Sequence, residues 1–126
     1  MSLPGWRAAL WGLWLCLAGV VSILSLLPGW MAPQPPGGTT TAHFVAYAGL
    51  AAISAPAFQP FHAAGLAILS VACLGGLLEV FQIWIPGRTF ERSDILADWL
   101  GVLVGMLTHW ALRVCLLSGW GRACRP

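Results

Sequence analysis

Residues 61–85 read FHAAGLAILSVACLGGLLEVFQIWI, a run with one charge, Glu79, closed by Pro86-Gly87. A helix needs about 20 predominantly apolar residues to cross a bilayer, so this run reads as a membrane span. Working outward, three more segments fit the same reading: 8–27, 43–58 and 94–117. The run at 8–27 is too long for the core of a signal peptide and no A-x-A site follows it, so it is expected to stay as an uncleaved span. Between the first two spans, residues 28–42 are rich in Pro, Gly and Thr, which is loop chemistry. Gln59-Pro60 makes a tight connection, and Arg88 to Ser93 form a polar loop. The expected fold is all-α, a single domain over 1–126 built as an integral membrane bundle of four transmembrane helices.

Composition agrees. The chain has 126 residues, 59% of them hydrophobic and 8% charged, with a net charge of +2. A soluble domain carries about 25% charged residues, so a water-facing enzyme and a disordered tail are both excluded. The six basic residues are all Arg and are scattered, which gives no stripe for nucleic acid. The lipid bilayer is the expected partner.

Position makes the few charges informative. None occurs between Arg7 and Glu79, and then Glu79, Arg88, Glu91, Arg92, Asp94 and Asp98 follow in quick succession. Four spans put both termini on one side, with Arg7, Arg113, Arg122 and Arg125, and leave Arg88 and Arg92 on the other. The positive-inside rule then favours cytoplasmic termini. The Trp residues fit two interfacial belts, Trp6, Trp11, Trp14, Trp110 and Trp120 inside and Trp30, Trp84 and Trp99 outside.

Helical periodicity sorts faces. His43 and Tyr47 are i, i+4, and so are Asp94 and Asp98; Glu79 and Gln82 are i, i+3. In the third span, Ala72, Gly75 and Gly76 accompany the polar pair, with Leu77, Phe81 and Trp84 behind. In the fourth, Gly101 and Gly105 share the face of the two acids, opposite Trp99, Leu103, Leu107 and Trp110. Small residues let helices approach closely, so Gly101-x-x-x-Gly105 is expected to pack inside the bundle. The bulky faces should meet lipid. His43, Glu79, Arg88, Arg92, Asp94 and Asp98 all fall in one half of the membrane. The expected site is one outward-opening cluster of His43, Tyr47, Glu79, Gln82, Arg88, Asp94 and Asp98. Arg88 is the nearest counter-ion for Glu79, and Asp94 or Ser93 can cap the fourth helix. Pro86, Gly87, Ser93, Gly101 and Gly105 are structural.

These motifs resemble those of the VanZ-like membrane protein family. His43-Phe44-x-x-Tyr47-x-x-Leu50, Glu79-x-x-Gln82-x-x-x-Pro86-Gly87-Arg88 and Ser93-Asp94-x-x-Ala97-Asp98-x-x-Gly101-x-x-x-Gly105 stand in the family's order and cover over half the chain. There are two departures. Thr39 and Thr40 replace the usual Asp-Lys pair before the His, and Asp98 stands where the family has Asn, adding a possible negative charge. The resemblance implies a bacterial cytoplasmic membrane protein of unsettled activity. Its name-giving member is linked to low-level resistance to the glycopeptide teicoplanin.

Four uses of the cluster remain open. It can serve packing alone. It can bind a polar headgroup, of a lipid-linked envelope precursor or a surface-active antibiotic, with Arg88 on the anion and Tyr47 and Gln82 orienting it. It can belong to a membrane enzyme on lipid-linked precursors, with His43 as base and Glu79 or Asp94 as acid, or joining Asp98 as oxygen ligands of a divalent metal. It can belong to a proton-coupled small exporter using Glu79. No nucleophile or metal signature stands out and no cofactor is expected, so binding is the first reading. The Cys residues read as small apolar helix residues.

Overall fold

The protein is described by a computed structural model, over residues 5–58 and 61–123. Four helices make up the fold: α1 (Gly5–Ser25), α2 (Gly38–Ala57), α3 (Phe61–Gln82) and α4 (Arg92–Ala123). Gln59 and Pro60 of the expected connection lie outside the described residues, as do Cys124, Arg125 and the side chains of Arg113, Trp120 and Arg122. Three segments are long and apolar enough to cross a membrane: Gly5–Ser25, His62–Gln82 and Arg92–Leu112. α2 does not meet that measure, because it opens Gly-Thr-Thr-Thr and carries Pro56.

The boundaries differ from expectation for local reasons. α2 starts five residues early, at Gly38. Gly37 and Gly38 both take positive φ, 89° and 81°, which turns the chain out of its proline-rich run at little steric cost. The threonines that read as loop then form the first turn of α2, with the Thr41 hydroxyl bonded back to the Gly37 carbonyl at 2.9 Å. α3 ends at Gln82 instead of Ile85. The amides of Ile83, Trp84 and Ile85 each bond three residues back, as a helix tightens and stops. Pro86 disfavours a helical conformation at the residue before it, and Gly87 completes the turn at φ 73°. Glu79 is therefore three residues from the end of its helix, about 5 Å at 1.5 Å per residue.

α2 is the hub of the bundle and touches the other three helices, whereas α1 and α4 do not meet. The closest pair is α2 and α4. They run parallel, since Phe44 lies at Gly101 and Ala48 lies at Gly105. A Cβ on Gly101 would collide with the Phe44 carbonyl oxygen, and one on Gly105 with that of Ala48. The glycine pair thus packs inside this chain, against α2. Tyr47, Leu50, Ala51, Val71 and Val102 form the core, and Trp14, Leu17 and Val21 of α1 pack against it.

α3 and α4 each bury one stripe. In α3 it is Ala64, Ala67, Val71, Leu78, Glu79 and Gln82; in α4 it is Asp94, Ala97, Asp98 and Val102. The opposite faces carry exposed Leu69, Leu77 and Phe81 in α3, with Trp84 just past its end, and Trp99, Leu103, Leu107 and Trp110 in α4. Such continuous apolar surface suits hydrocarbon and not water. Cys16 and Cys73 also lie on the exposed faces. Within the expected inner belt, Trp11 and Trp14 have a structural task. Their indole N–H groups donate to the Ala57 carbonyl (2.7 Å) and the Ser54 hydroxyl (2.8 Å), fastening α1 antiparallel to α2.

Gly105→Leu should lower stability by about 1–3 kcal/mol or more, as an overpacked contact does. Gly76→Ala faces open space and should leave stability unchanged or slightly raised. Reversible unfolding in detergent micelles measures both.

Candidate functional site

The parallel pairing of α2 and α4 brings the start of both helices to the end of α3. His43 and Tyr47 come from the first half of α2, Glu79 and Gln82 from the last turn of α3, and Asp94 and Asp98 from the first two turns of α4. Glu79 and Asp98 are fully buried and Asp94 is 4% exposed. His43 Nδ1 lies 2.9 Å from Asp98 Oδ1, and its Nε2 lies 3.8 Å from Asp94 Oδ2. An ionised carboxylate only accepts, so with Asp98 charged Nδ1 is the donor in the shorter pairing. The rings of His43 and Tyr47 stack with centroids 6.2 Å apart.

Each acid is held by a further contact. Thr40 donates its hydroxyl to Asp94 Oδ1 at 2.5 Å, tying the first turns of α2 and α4. The Glu91 amide donates to Glu79 Oε1 at 2.6 Å, which anchors the start of α4 on α3. Asp98 fits only because α3 carries Gly75 beside it, where a Cβ would collide with Asp98 Oδ2 and approach the Tyr47 ring to 3.0 Å. Five buried side-chain polar atoms have no hydrogen-bond partner among the described residues, and four of them belong to this cluster: Glu79 Oε2, Asp98 Oδ2, Gln82 Nε2 and the Tyr47 hydroxyl. Buried polar groups are nearly always satisfied, so partners for these atoms lie outside the protein's own side chains and backbone.

Arg88 is not the counter-ion of Glu79. Its Nη2 and Nε donate to the carbonyls of Leu24 (2.9 Å) and Leu27 (3.1 Å). Leu24 is in the last turn of α1 and Leu27 lies two residues past it, where helix carbonyls lack internal partners and the dipole favours a cation. The loop is further joined by the Gly29 amide, which donates to the Pro86 carbonyl at 3.0 Å. A Cβ on Gly29 would collide with the Gly87 carbonyl. Pro86 and Gly87 therefore shape the clasp that brings Arg88 back over α1. The Ser93 hydroxyl is exposed and lies 3.5 Å from Glu91 Oε2, while Asp94 Oδ1 accepts from Thr40 across to α2.

Two cavities adjoin the cluster. One, of about 200 Å³, is mostly apolar and lined by Val21, Leu24, Pro33, Ala42, Ala46 and Tyr47, with His43 on its wall. The other, of about 240 Å³, is polar, with Gln34, Gln82, Thr89, Glu91 and Asp94. Thr39 and Arg88 line both. Neither Thr39 nor Thr40 stood out in the sequence except as replacements for charges. Their i, i+3 and i, i+4 spacing to His43 was the available signal.

A family model described as VanZ/LLP1 matches residues 10–113, and the chain belongs to that family. No curated protein and no solved structure matches it.

Thr40→Val keeps the shape and removes the bond to Asp94, which should cost about 1–3 kcal/mol because the acceptor is a buried carboxyl group. Thr41→Val removes only an exposed bond and should stay within about 0.5 kcal/mol. Unfolding of the two variants side by side measures the difference.

Proposed function

We propose that this VanZ/LLP1 member is a membrane receptor for the polar headgroup of an amphiphile, either a lipid-linked envelope precursor or a surface-active antibiotic such as teicoplanin. The observation that carries the reading is the pair of cavities, one apolar and one polar, joined along Thr39 and Arg88. An amphiphile needs that division: an apolar surface for its chain and polar groups for its head. Arg88 stands at the seam. Two of its donors hold the Leu24 and Leu27 carbonyls, and a guanidinium has five, which leaves donors for an anionic head. Gln82 and Tyr47 each bring a buried donor without a partner and orient the head.

The same reading places the protein in a bacterial cytoplasmic membrane with cytoplasmic termini and α2 as the fourth crossing helix. Two observations support that role for α2. It runs in parallel with α4 at matched depth. Its 20 residues give about 30 Å of helix at 1.5 Å per residue, the thickness of the hydrocarbon core. Its threonines and Pro56 are tolerated at that depth because the other helices surround it. The cluster then opens to the outer surface, where envelope precursors and glycopeptides meet.

Purified protein in nanodiscs, titrated with polyprenyl phosphate or with teicoplanin, tests this through tryptophan fluorescence. Ala46→Phe fills the apolar cavity and Arg88→Ala empties the seam. Each should weaken binding at least tenfold for the ligand that belongs. Equal affinity of wild type and Ala46→Phe for both ligands contradicts the proposal.

A further inference from the structure

The three carboxyl groups at the helix junction face one imidazole, and among the described residues the ion pairs of Asp94 and Asp98 are with that imidazole alone. Arg88, the cation expected there, is instead turned to the carbonyls of Leu24 and Leu27 at the C-terminal end of α1. One ligand atom each from His43, Glu79 and Asp94 lies within 4.8 Å of the other two. A cation at the centre of such a triangle reaches all three with small side-chain movements, since transition-metal bonds to nitrogen and carboxylate oxygen are about 2.0–2.2 Å.

The hydrogen bonds around the three residues carry the argument further. Each uses one atom of a ligand and leaves another. Asp98 holds His43 at Nδ1, leaving Nε2. The Glu91 amide holds Glu79 at Oε1, leaving Oε2, which is buried in a fully buried residue and has no partner among the described residues. Thr40 holds Asp94 at Oδ1, leaving Oδ2, 3.8 Å from His43 Nε2. A metal-bound histidine almost always donates its other N–H to a carboxylate or carbonyl, and metal-bound carboxylates are themselves hydrogen-bonded. The outer bonds of such a centre are thus already made here, on the atoms a metal would not use.

We propose that His43 Nε2, Glu79 Oε2 and Asp94 Oδ2 form a binding site for a divalent transition cation of the Mn²⁺ or Zn²⁺ kind, with Asp98, Thr40 and the Glu91 amide as its supports. One nitrogen and two carboxylate oxygens favour such ions over Mg²⁺ and Ca²⁺, which prefer oxygen alone. Three protein ligands leave coordination positions open, as in catalytic centres and not in closed structural ones. The polar cavity reaches Asp94 and Gln82, so the open positions face a route for water or an anion. The site stands independently of the amphiphile reading.

The test uses full-length protein in detergent micelles, stripped with chelator and titrated with Mn²⁺, following the loss of the free-ion electron paramagnetic resonance signal. Wild type should bind one Mn²⁺ per chain, resist a large excess of Mg²⁺ and release it to Zn²⁺. Glu79→Gln and His43→Ala should abolish binding, and Asp98→Asn should weaken it about 10–100-fold through the outer shell. Ala46→Phe, which closes the apolar cavity, should bind Mn²⁺ like wild type, so failure of the amphiphile reading and failure of this one are told apart. Because the ligand variants can also lose their fold, the unfolding temperature of wild type is measured with and without Mn²⁺; a specific ion raises it. Absence of both binding and stabilisation in wild type, or binding unchanged in folded Glu79→Gln, overturns the proposal.

Discussion

The contact between His43 and Asp98 is the interaction on which the rest of the structure depends. It joins the first turns of α2 to the first turns of α4, and it exists because two helices of the bundle run parallel at very short range. Gly101 and Gly105 make that range possible by removing side chains from the seam. Gly75 on α3 makes room for the same carboxylate from the other side. Polar pair and glycine seam support one another: the glycines bring the backbones close, and the buried pair sets how the helices align. A buried pair of this kind carries a large desolvation cost, so its contribution lies in fixing one arrangement more than in adding stability.

From that junction the rest follows in layers. Thr40 and the Glu91 amide fix the two other acids, one to each neighbouring helix. The α3–α4 loop then folds back, and Arg88 closes on the carbonyl end of α1. The other end of α1 is held by Trp11 and Trp14 on α2. The polar cluster thus gathers at one end of a bundle whose sides are apolar, with two cavities beside it. An apolar outer surface around a polar interior is the arrangement expected of a membrane protein.

Much of this was legible in the residues. The period of the small and polar positions in 61–85 and 94–105 separated buried from exposed faces correctly, because a helix in lipid must gather its few polar groups on one side. The grouping of His43, Glu79, Asp94 and Asp98 followed from the same arithmetic. Two kinds of information were not there. Helix ends misled where composition competes with context: the threonines at 39–41 look like a loop by propensity but gain a place in α2 through Gly37, Gly38 and Asp94. Partner choice misled as well. Arg88 is close to Glu79 along the chain, yet the free carbonyls of α1 compete for it, and only the packed bundle brings them near. Thr40 is the clearest case, a substitution that looked like lost charge and is in fact the tie between two helices.

The most direct measurement is a double-mutant cycle on His43 and Asp98, with unfolding free energies in micelles for wild type, His43→Ala, Asp98→Ala and the double variant. Direct contact in a buried network predicts a coupling energy of about 1–3 kcal/mol, with the second substitution costing far less once the first is made. If the two single effects add within about 0.3–0.5 kcal/mol, the residues do not meet, and the parallel junction of α2 and α4 is contradicted.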